Sequence, residues 1–393
     1  MGPRGDSERL TLQIGWLAGP RYAVWAGLGL IGIAVLACLF FYGLRPPPAR
    51  LNLSAGRYEQ FVGWSDDSVA VAVPAFLRSC TAFQRAADDA PLAPRAKDVD
   101  FGSVGEWRAP CAAAVSLPAG DDAATRHFFE TDFVPFLAGN NGTSEGLFTG
   151  YYEVTLSGSR KRGGPFQIPI YRRPVDPKRF SRAEIEDGAL SGQGLEFAWV
   201  DDPIDAFFLE IQGSGRVRLK EGGIIRVGYD GSNAHAYVPV GRLLIERGEI
   251  PREQVTMQAI RAWMKAHPQE GAALRRENPS YVFFRELTGE GPLGAQRVPL
   301  SAGRSLAVDR AFIPLGIPIW LEAQERFSNS VIRRLVIAQD TGGAIKGPVR
   351  GDLFWGHGKE AAEGAGAMNA RGRYYLLLPR SVAARLGTVL AAD

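Results

Sequence analysis

Histidine and cysteine are scarce in this chain: four histidines, His127, His235, His267 and His357, and three cysteines, Cys38, Cys80 and Cys111, are spread over 393 residues. None stands at the paired spacing of a zinc site, so no metal is expected, and no other cofactor is implied. A charge surplus is missing too. The 45 basic and 42 acidic residues leave a net charge of +3 and form no long block of one sign, which removes the electrostatic footprint of a nucleic-acid partner. No repeat of fixed period runs along the chain, so a solenoid is excluded. Low-complexity sequence is confined to the alanine-rich stretch 361–367, read as a loop. What remains is globular in composition, 46% hydrophobic and 22% charged, at a length that suits roughly two to three domains.

One long stretch is free of charge altogether. Residues 22–44 contain no Asp, Glu, Lys or Arg, and as a helix they supply the roughly 20 residues that cross a bilayer. Trp25 and Tyr42 lie near the ends, Arg21 and Arg45 bracket the run, and Pro46-Pro47-Pro48 breaks it. Gly27, Gly29 and Gly32 form a GxGxxG string inside this span, without the strand and helix that nucleotide binding requires, and the match is rejected. Cys38 follows Val35-Leu36-Ala37 as in a lipoprotein cleavage box, yet apolar residues continue to Leu44, which favours an uncleaved anchor. Arg4, Arg9 and Arg21 before the span, against Arg45 and Arg50 after it, give only a slight positive-inside bias. Cys80 and Cys111 either pair in a disulfide outside the membrane or remain two separate buried thiols.

After the proline break, residues 74–87 read as a helix with Phe76, Cys80 and Phe83 on one face, and residues 123–134 as another with Phe128, Phe129 and Phe133. Strand-like sequence begins at Gly146. Runs at 146–156, 166–171 and 206–213 read as β elements, and 216–229 as a hairpin turning at Gly222-Gly223. Residues 239–247 and 252–267 have helical spacing, with Pro268 closing the second. Six short β-branched or aromatic runs follow, at 281–284, 306–308, 317–321, 333–338, 353–355 and 373–378, and together predict a small barrel.

The segment from Val336 to Gly356 places Asp340 and Asp352 at strand ends on either side of a turn containing Gly342, Gly343, Gly347 and Gly351. Two buried carboxyls can hold one proton near neutral pH, as acid catalysis at a glycosidic bond requires. Phe354 and Trp355 offer apolar surface, and Lys346 a charge able to keep one carboxylate ionised. Equally, Asp340 could serve only as an acceptor for turn N–H groups. Asp309 is a third carboxylate, read as an ion pair with Arg310; Glu153 and Glu210 are read as solvated strand faces. Tyr151, Tyr152, Tyr171, Gln212, Ser214, Tyr237 and Trp355 supply the aromatic faces, amides and hydroxyls that bind sugars.

Eight motifs occur in one order: Gly150-Tyr-Tyr-Glu, Phe208-Leu-Glu-Ile-Gln-Gly-Ser-Gly, Asn233-Ala-His-Ala-Tyr, Met257-Gln-Ala-Ile-Arg-Ala-Trp, Asn278-Pro-Ser-Tyr-Val-Phe-Phe, Ala307-Val-Asp, Ile313-Pro-Leu-Gly and Asp340-Thr-Gly-Gly-Ala-Ile-Lys-Gly. Over roughly residues 125–380 the chain thereby resembles the membrane-bound lytic murein transglycosylase A family. Val154 departs from the proline often found there.

The resemblance implies a mainly β chain: a double-psi β-barrel interrupted by a second β-rich domain, with N-terminal helices and the membrane anchor helix added. In these terms residues 1–21 are cytoplasmic, 22–44 the anchor, 45–54 a linker, 55–154 the N-terminal helices and first part of the barrel, 155–280 the insert, and 281–393 the rest of the barrel. It also implies cleavage of peptidoglycan glycan strands in the periplasm of a Gram-negative bacterium, in cell-wall remodelling or recycling. Asp352 is then the acid/base and Asp340 its supporting carboxylate, with Tyr151, Tyr152, Tyr171, Gln212, Ser214, Tyr237, Lys346 and Trp355 binding substrate. Protein partners in cell-wall synthesis or division are left open, and so are the rival readings of a water-using hydrolase and a glycan-binding scaffold.

Overall fold

The computed structural model describes residues 47–325 and 330–390, with a body that begins at Ala49. The run 22–44 lies outside the described residues; among those described, no helix is long and apolar enough to cross a membrane. The body is mainly β. Its strands are β1 (Leu51–Ala55), β2 (Phe133–Asn140), β3 (Gly146–Ser159), β4 (Ile168–Tyr171), β5 (Glu196–Val200), β6 (Ser214–Leu219), β7 (Ile224–Ser232), β8 (Val282–Leu287), β9 (Ser305–Val308), β10 (Pro318–Glu325), β11 (Val331–Asp340), β12 (Arg350–His357) and β13 (Asn369–Pro379).

Six of these strands run in the order β13, β10, β11, β9, β12, β3, and pairing of β13 with β3 closes the ring. Pairs β9–β11 and β3–β12 are parallel and the other four antiparallel. Continuous apolar runs explain the ring. Leu335 to Ala338 on β11 and Leu376 to Leu378 on β13 are buried on both faces, which suits strands with the barrel interior on one side and packed helices on the other. Helices Val73–Phe83 and Asp122–Asp132 cover it, and Phe76, Phe128, Phe129 and Phe133 interlock ring to ring between them. The sequence assigns the stretch 281–284 to the barrel, but the structure pairs β8 with β7; the sixth barrel strand is β3. Residues 51–54, expected in a linker, form most of β1, which pairs antiparallel with β2.

The second sheet has the order β4, β5, β3, β6, β7, β8. Strand β3 therefore serves both sheets, through residues 146–153 in the ring and 154–159 in the second sheet. The expected hairpin is β6–β7, and Gly222 and Gly223 both have positive φ at its turn. Helices Val240–Glu246 and Met257–Ala266 fall inside the two stretches of helical spacing.

Two secondary-structure types read from sequence are overturned. Residues 206–213, expected as a strand, belong to the helix Pro203–Gln212: Asp202 caps it by accepting the N–H groups of Ile204 and Asp205, Pro203 occupies its first turn, and Gly213 ends it in the left-handed region. A short run with Glu210 and Gln212 at alternate positions fits a strand as well as a helix, so the cap residues decide. The alanine-rich 361–367 is likewise no loop but most of the helix Lys359–Ala367, as strong helix formers favour.

Carboxylates read as solvated are buried instead. Glu153 is fully buried and takes Arg216 at 2.6 Å and Arg226 at 3.4 Å. Glu210 holds Arg182 through two bonds of 2.9 and 2.8 Å and accepts the Val282 N–H. Burial of either carboxylate is tolerable because its lone pairs are met by arginine.

Of the two alternatives for the cysteines, the structure has the disulfide, Cys80–Cys111, which ties helix Val73–Phe83 to helix Arg108–Val115 across 31 residues of sequence. Replacing both by alanine should lower the unfolding free energy by about 2–4 kcal/mol. Denaturant unfolding with and without reductant checks this: reductant should destabilise the wild type to the level of the variant and leave the variant unchanged.

Candidate active site

Strand β9 sets the distance between the two aspartates. Ala307 is the register partner of Asp340 on one side, across the parallel pair with β11, and of Asp352 on the other, across the antiparallel pair with β12. In-register neighbours project to the same face of a sheet, so both carboxyls rise from one face at Cα positions roughly 10 Å apart, two strand spacings. Between them residues 341–349 form the turn, and Gly347, with φ of 103°, is the position there that needs glycine. Asp309 holds this turn. Its carboxylate accepts the Gly347 N–H at 2.8 Å and the Ala311 N–H at 3.0 Å, and among the described residues it makes no ion pair with Arg310, contrary to the expectation from sequence.

The environments of the two carboxyls differ. Asp340 accepts three hydrogen bonds: from the Tyr151 hydroxyl at 2.8 Å, and from the N–H groups of Ala295 at 2.9 Å and Thr341 at 2.8 Å. Burial pushes its pKa up, and these three donors oppose the rise by favouring the charged form. Asp352 has one direct donor, the Thr149 hydroxyl at 2.7 Å. Burial lifts its pKa from 3.8 to about 6; Arg350 and Thr149 pull the other way, and the nearby charge of Asp340 adds to the rise. Asp352 is thus a carboxyl that exchanges its proton near neutral pH, beside one held by three donors.

The cation near Asp352 is Arg350, not Lys346. Lys346 is exposed in the turn. Arg350 lies two residues before Asp352 on the same strand face and donates to the Thr149 hydroxyl oxygen at 2.8 Å, so Arg350, Thr149 and Asp352 form a relay. Neither Arg350 nor Thr149 is prominent in the sequence, yet strand alternation points to both: Arg350, Asp352 and Phe354 share one face of β12, and Thr149 and Tyr151 one face of β3. Tyr151 is packed ring to ring with Phe354 at 5.2 Å, and these two make the apolar floor of the pair with Leu300, Ala307 and Ile345.

The remaining predicted residues scatter. Trp355 points to the opposite face of β12 and wedges against Gly150 and Gly364, where an added Cβ would lie 2.5 Å from the indole. The Tyr152 N–H donates to the Gln212 side chain at 2.9 Å, and Gln212 ends the helix that precedes Ser214 on β6. Tyr152, Gln212 and Ser214 thus lie where β3, the helix Pro203–Gln212 and β6 meet. Tyr171 is buried elsewhere, with Tyr281 and Phe283, and Tyr237 stands exposed before helix Val240–Glu246. Neither touches the aspartates.

Because the folded state holds the Asp352 proton more tightly than the unfolded chain, stability should fall as pH rises from about 4 through about 6. Asp352→Asn removes that titration and retains an acceptor for Thr149. It should exceed the wild type by up to about 3 kcal/mol in unfolding free energy near pH 7.5, and by less than about 1 kcal/mol near pH 4. Urea melts at the two pH values decide; a gap independent of pH counts against a buried, proton-exchanging Asp352.

Residues 147–285 match the family model of the MltA specific insert domain, and residues 304–378 that of the 3D domain. The membrane-bound lytic murein transglycosylase A of Escherichia coli (strain K12) is 38% identical over 286 residues, 70% of this chain and 75% of that protein. Among solved structures, the membrane-bound lytic murein transglycosylase from Agrobacterium tumefaciens superposes with a TM-score of 0.75 at 32% identity, covering 85% of this chain and 99% of that one. Escherichia coli MltA with bound chitohexaose gives 0.65 at 32% identity, over 84% and 94%.

Proposed function

The chain belongs to the membrane-bound lytic murein transglycosylase A family, and from that membership together with the aspartate pair we propose how it acts. It is a lytic transglycosylase that cleaves the β-1,4 bond between N-acetylmuramic acid and N-acetylglucosamine in peptidoglycan and leaves a 1,6-anhydro sugar. The observation that carries the residue assignment is the inequality of two carboxyls flanking one strand residue, Ala307.

Asp352, with a pKa near 6, is the proton donor to the glycosidic oxygen as the C1–O4 bond breaks. The three donors to Asp340 favour its charged form against the rise that burial imposes, and in that form its charge helps keep the proton on Asp352 and favours the positive charge that develops at C1. The 6-hydroxyl of the same muramic acid then attacks C1, and its proton returns to Asp352. Water takes no part as nucleophile, so the site needs no second carboxylate poised over a water molecule. Arg350 and Thr149 fix the rotamer of Asp352, and Tyr151 fixes that of Asp340.

On the same reading the six-strand ring is a double-psi barrel, with residues 155–280 inserted and the glycan groove between the two sheets. Tyr152, Gln212, Ser214 and Trp355 belong to that groove. Residues 22–44 anchor the chain, with the body on the periplasmic side. The disulfide supports this placement, since such bonds persist in oxidising compartments.

Mass spectrometry of murein sacculi treated with the purified full-length chain tests the assignment. Anhydromuropeptides are expected from the wild type and none from Asp352→Ala, with the wild-type rate dropping about tenfold per pH unit well above pH 6. Reducing muropeptides would instead make it a hydrolase; retained murein binding without products would make it a scaffold.

A further inference from the structure

A cavity of about 370 Å³ opens in the second-sheet half of the body, and neither catalytic aspartate lines it. Its wall is part aromatic, with Tyr171, Trp199 and Tyr281, and part charged. Most of that charge is already matched. Arg182 is committed to Glu210 through two bonds, Arg276 to Asp187 through two, and the Arg162 side chain donates to Gln167. Glu186, the other carboxylate of the wall, lies 3.5 Å from Arg182 and 3.9 Å from Arg276.

Arg275 is the exception. It lines the cavity in the last turn of the helix Pro268–Arg276 and is only 8% exposed. Among the described residues its guanidinium has neither a hydrogen-bond nor an ion-pair partner. Desolvation pulls its pKa down; the charges of Glu186 and Asp202 oppose this from beyond ion-pair distance, and Arg182 adds to the fall. A helix C-terminus favours a cation, but by less than it costs to bury an unpaired one, so the helix dipole alone does not account for Arg275. An occupant that supplies the anion would.

We propose that this cavity binds a single carboxylate on a small amphipathic molecule, held by the Arg275 fork and flanked by the aromatic wall. A carboxylate matches a guanidinium with two parallel hydrogen bonds, and the cavity has the size of small-ligand pockets. Glu186 and Glu210 in the same wall disfavour a dianion such as phosphate or sulfate. Resting on the murein reading above, we assign the carboxylate to the free C-terminus of a peptide carried by the glycan, because the lactyl carboxyl of N-acetylmuramic acid is consumed in the amide bond that attaches that peptide.

The test is calorimetric titration of the full-length chain with N-acetyl-D-alanyl-D-alanine and with the same dipeptide as its C-terminal amide. The acid should bind about tenfold or more tightly than the amide, the yield of a charge-assisted pair. Arg275→Met should abolish the preference; Arg275→Lys, which keeps the charge and loses the fork, should weaken it several-fold and serves if the methionine variant does not fold. Asp352→Ala should keep it. Equal binding of acid and amide, a preference that survives Arg275→Met, or competition by sulfate as strong as by the acid would overturn the site. Anhydromuropeptide release, followed on the same samples, keeps the two readings apart: release without an acid preference sinks this site alone, and an acid preference without release sinks the catalytic reading alone.

Discussion

Everything in this molecule is tied to one strand that belongs to two sheets. Over its first eight residues β3 closes the six-strand ring against β12 and β13; over its last six it is the centre of the second sheet, between β5 and β6. The residues at the crossover carry the site. Thr149 reaches Asp352 and Tyr151 reaches Asp340, whereas the next residue, Tyr152, fixes the end of helix Pro203–Gln212 through its backbone. A shift of β3 by one residue would turn Thr149 and Tyr151 away from both aspartates together, since alternate residues face opposite sides. Glu153 resists such a shift. Its fully buried carboxylate is bound by Arg216 and Arg226, from two neighbouring strands of the second sheet, and moving it would leave a buried charge unpaired at a cost of several kcal/mol.

The proposed assignment of acid and support rests on how this structure treats its buried carboxylates. Glu153 and Glu210 face arginine directly, and Asp309 and Asp340 face two or more N–H or O–H donors each. Asp352 alone among these has a single hydroxyl donor and meets its arginine at second hand, through Thr149. Direct pairing with Arg350 would favour the carboxylate and end its use as an acid near neutral pH; removing Arg350 entirely would let burial raise the pKa further. An arginine one hydroxyl away is the intermediate case. It leaves the proton exchangeable within the range where a general acid must both hold and release it.

Where local chemistry and tertiary structure agree, the sequence is readable without the coordinates. Glycine turns and β-branched runs mark β6–β7 and the strands from β9 onward, and the two aspartates stand out because a glycine-rich turn lies between them. The failures have physical causes too. Residues 206–213 place Glu210 and Gln212 at alternate positions, which imitates a strand, and the cap at Asp202 and Pro203 lies outside that run. The stretch 361–367 reads as low complexity because Gly364 and Gly366 interrupt it, yet those glycines are there for packing: a Cβ at either would lie within 2.5 Å of Trp355 or Gln258. Glu153, Glu210 and Arg350 escape notice because a charged residue in a strand or helix looks solvated until its partner, 28 to 203 residues away in sequence, is known.

Trp355 shows what holding the two sheets together costs. It follows Asp352 and Phe354 on β12 but faces the other way, and it packs against both the barrel core and the core of the second sheet. Its indole N–H is buried with no acceptor among the described residues, a loss of about 1–3 kcal/mol. Only the absence of side chains at Gly150 and Gly364 lets the ring fit. A smaller apolar residue would avoid the unsatisfied donor and lose the contact between the two cores, and with it the stiffness of β12 within three residues of the proposed acid, Asp352. Positioning a general acid to a fraction of an ångström is worth more to catalysis than that stability. The unsatisfied indole is therefore best understood as strain tolerated for the sake of the carboxyl, and the two glycines as part of the site although neither can touch a substrate through a side chain.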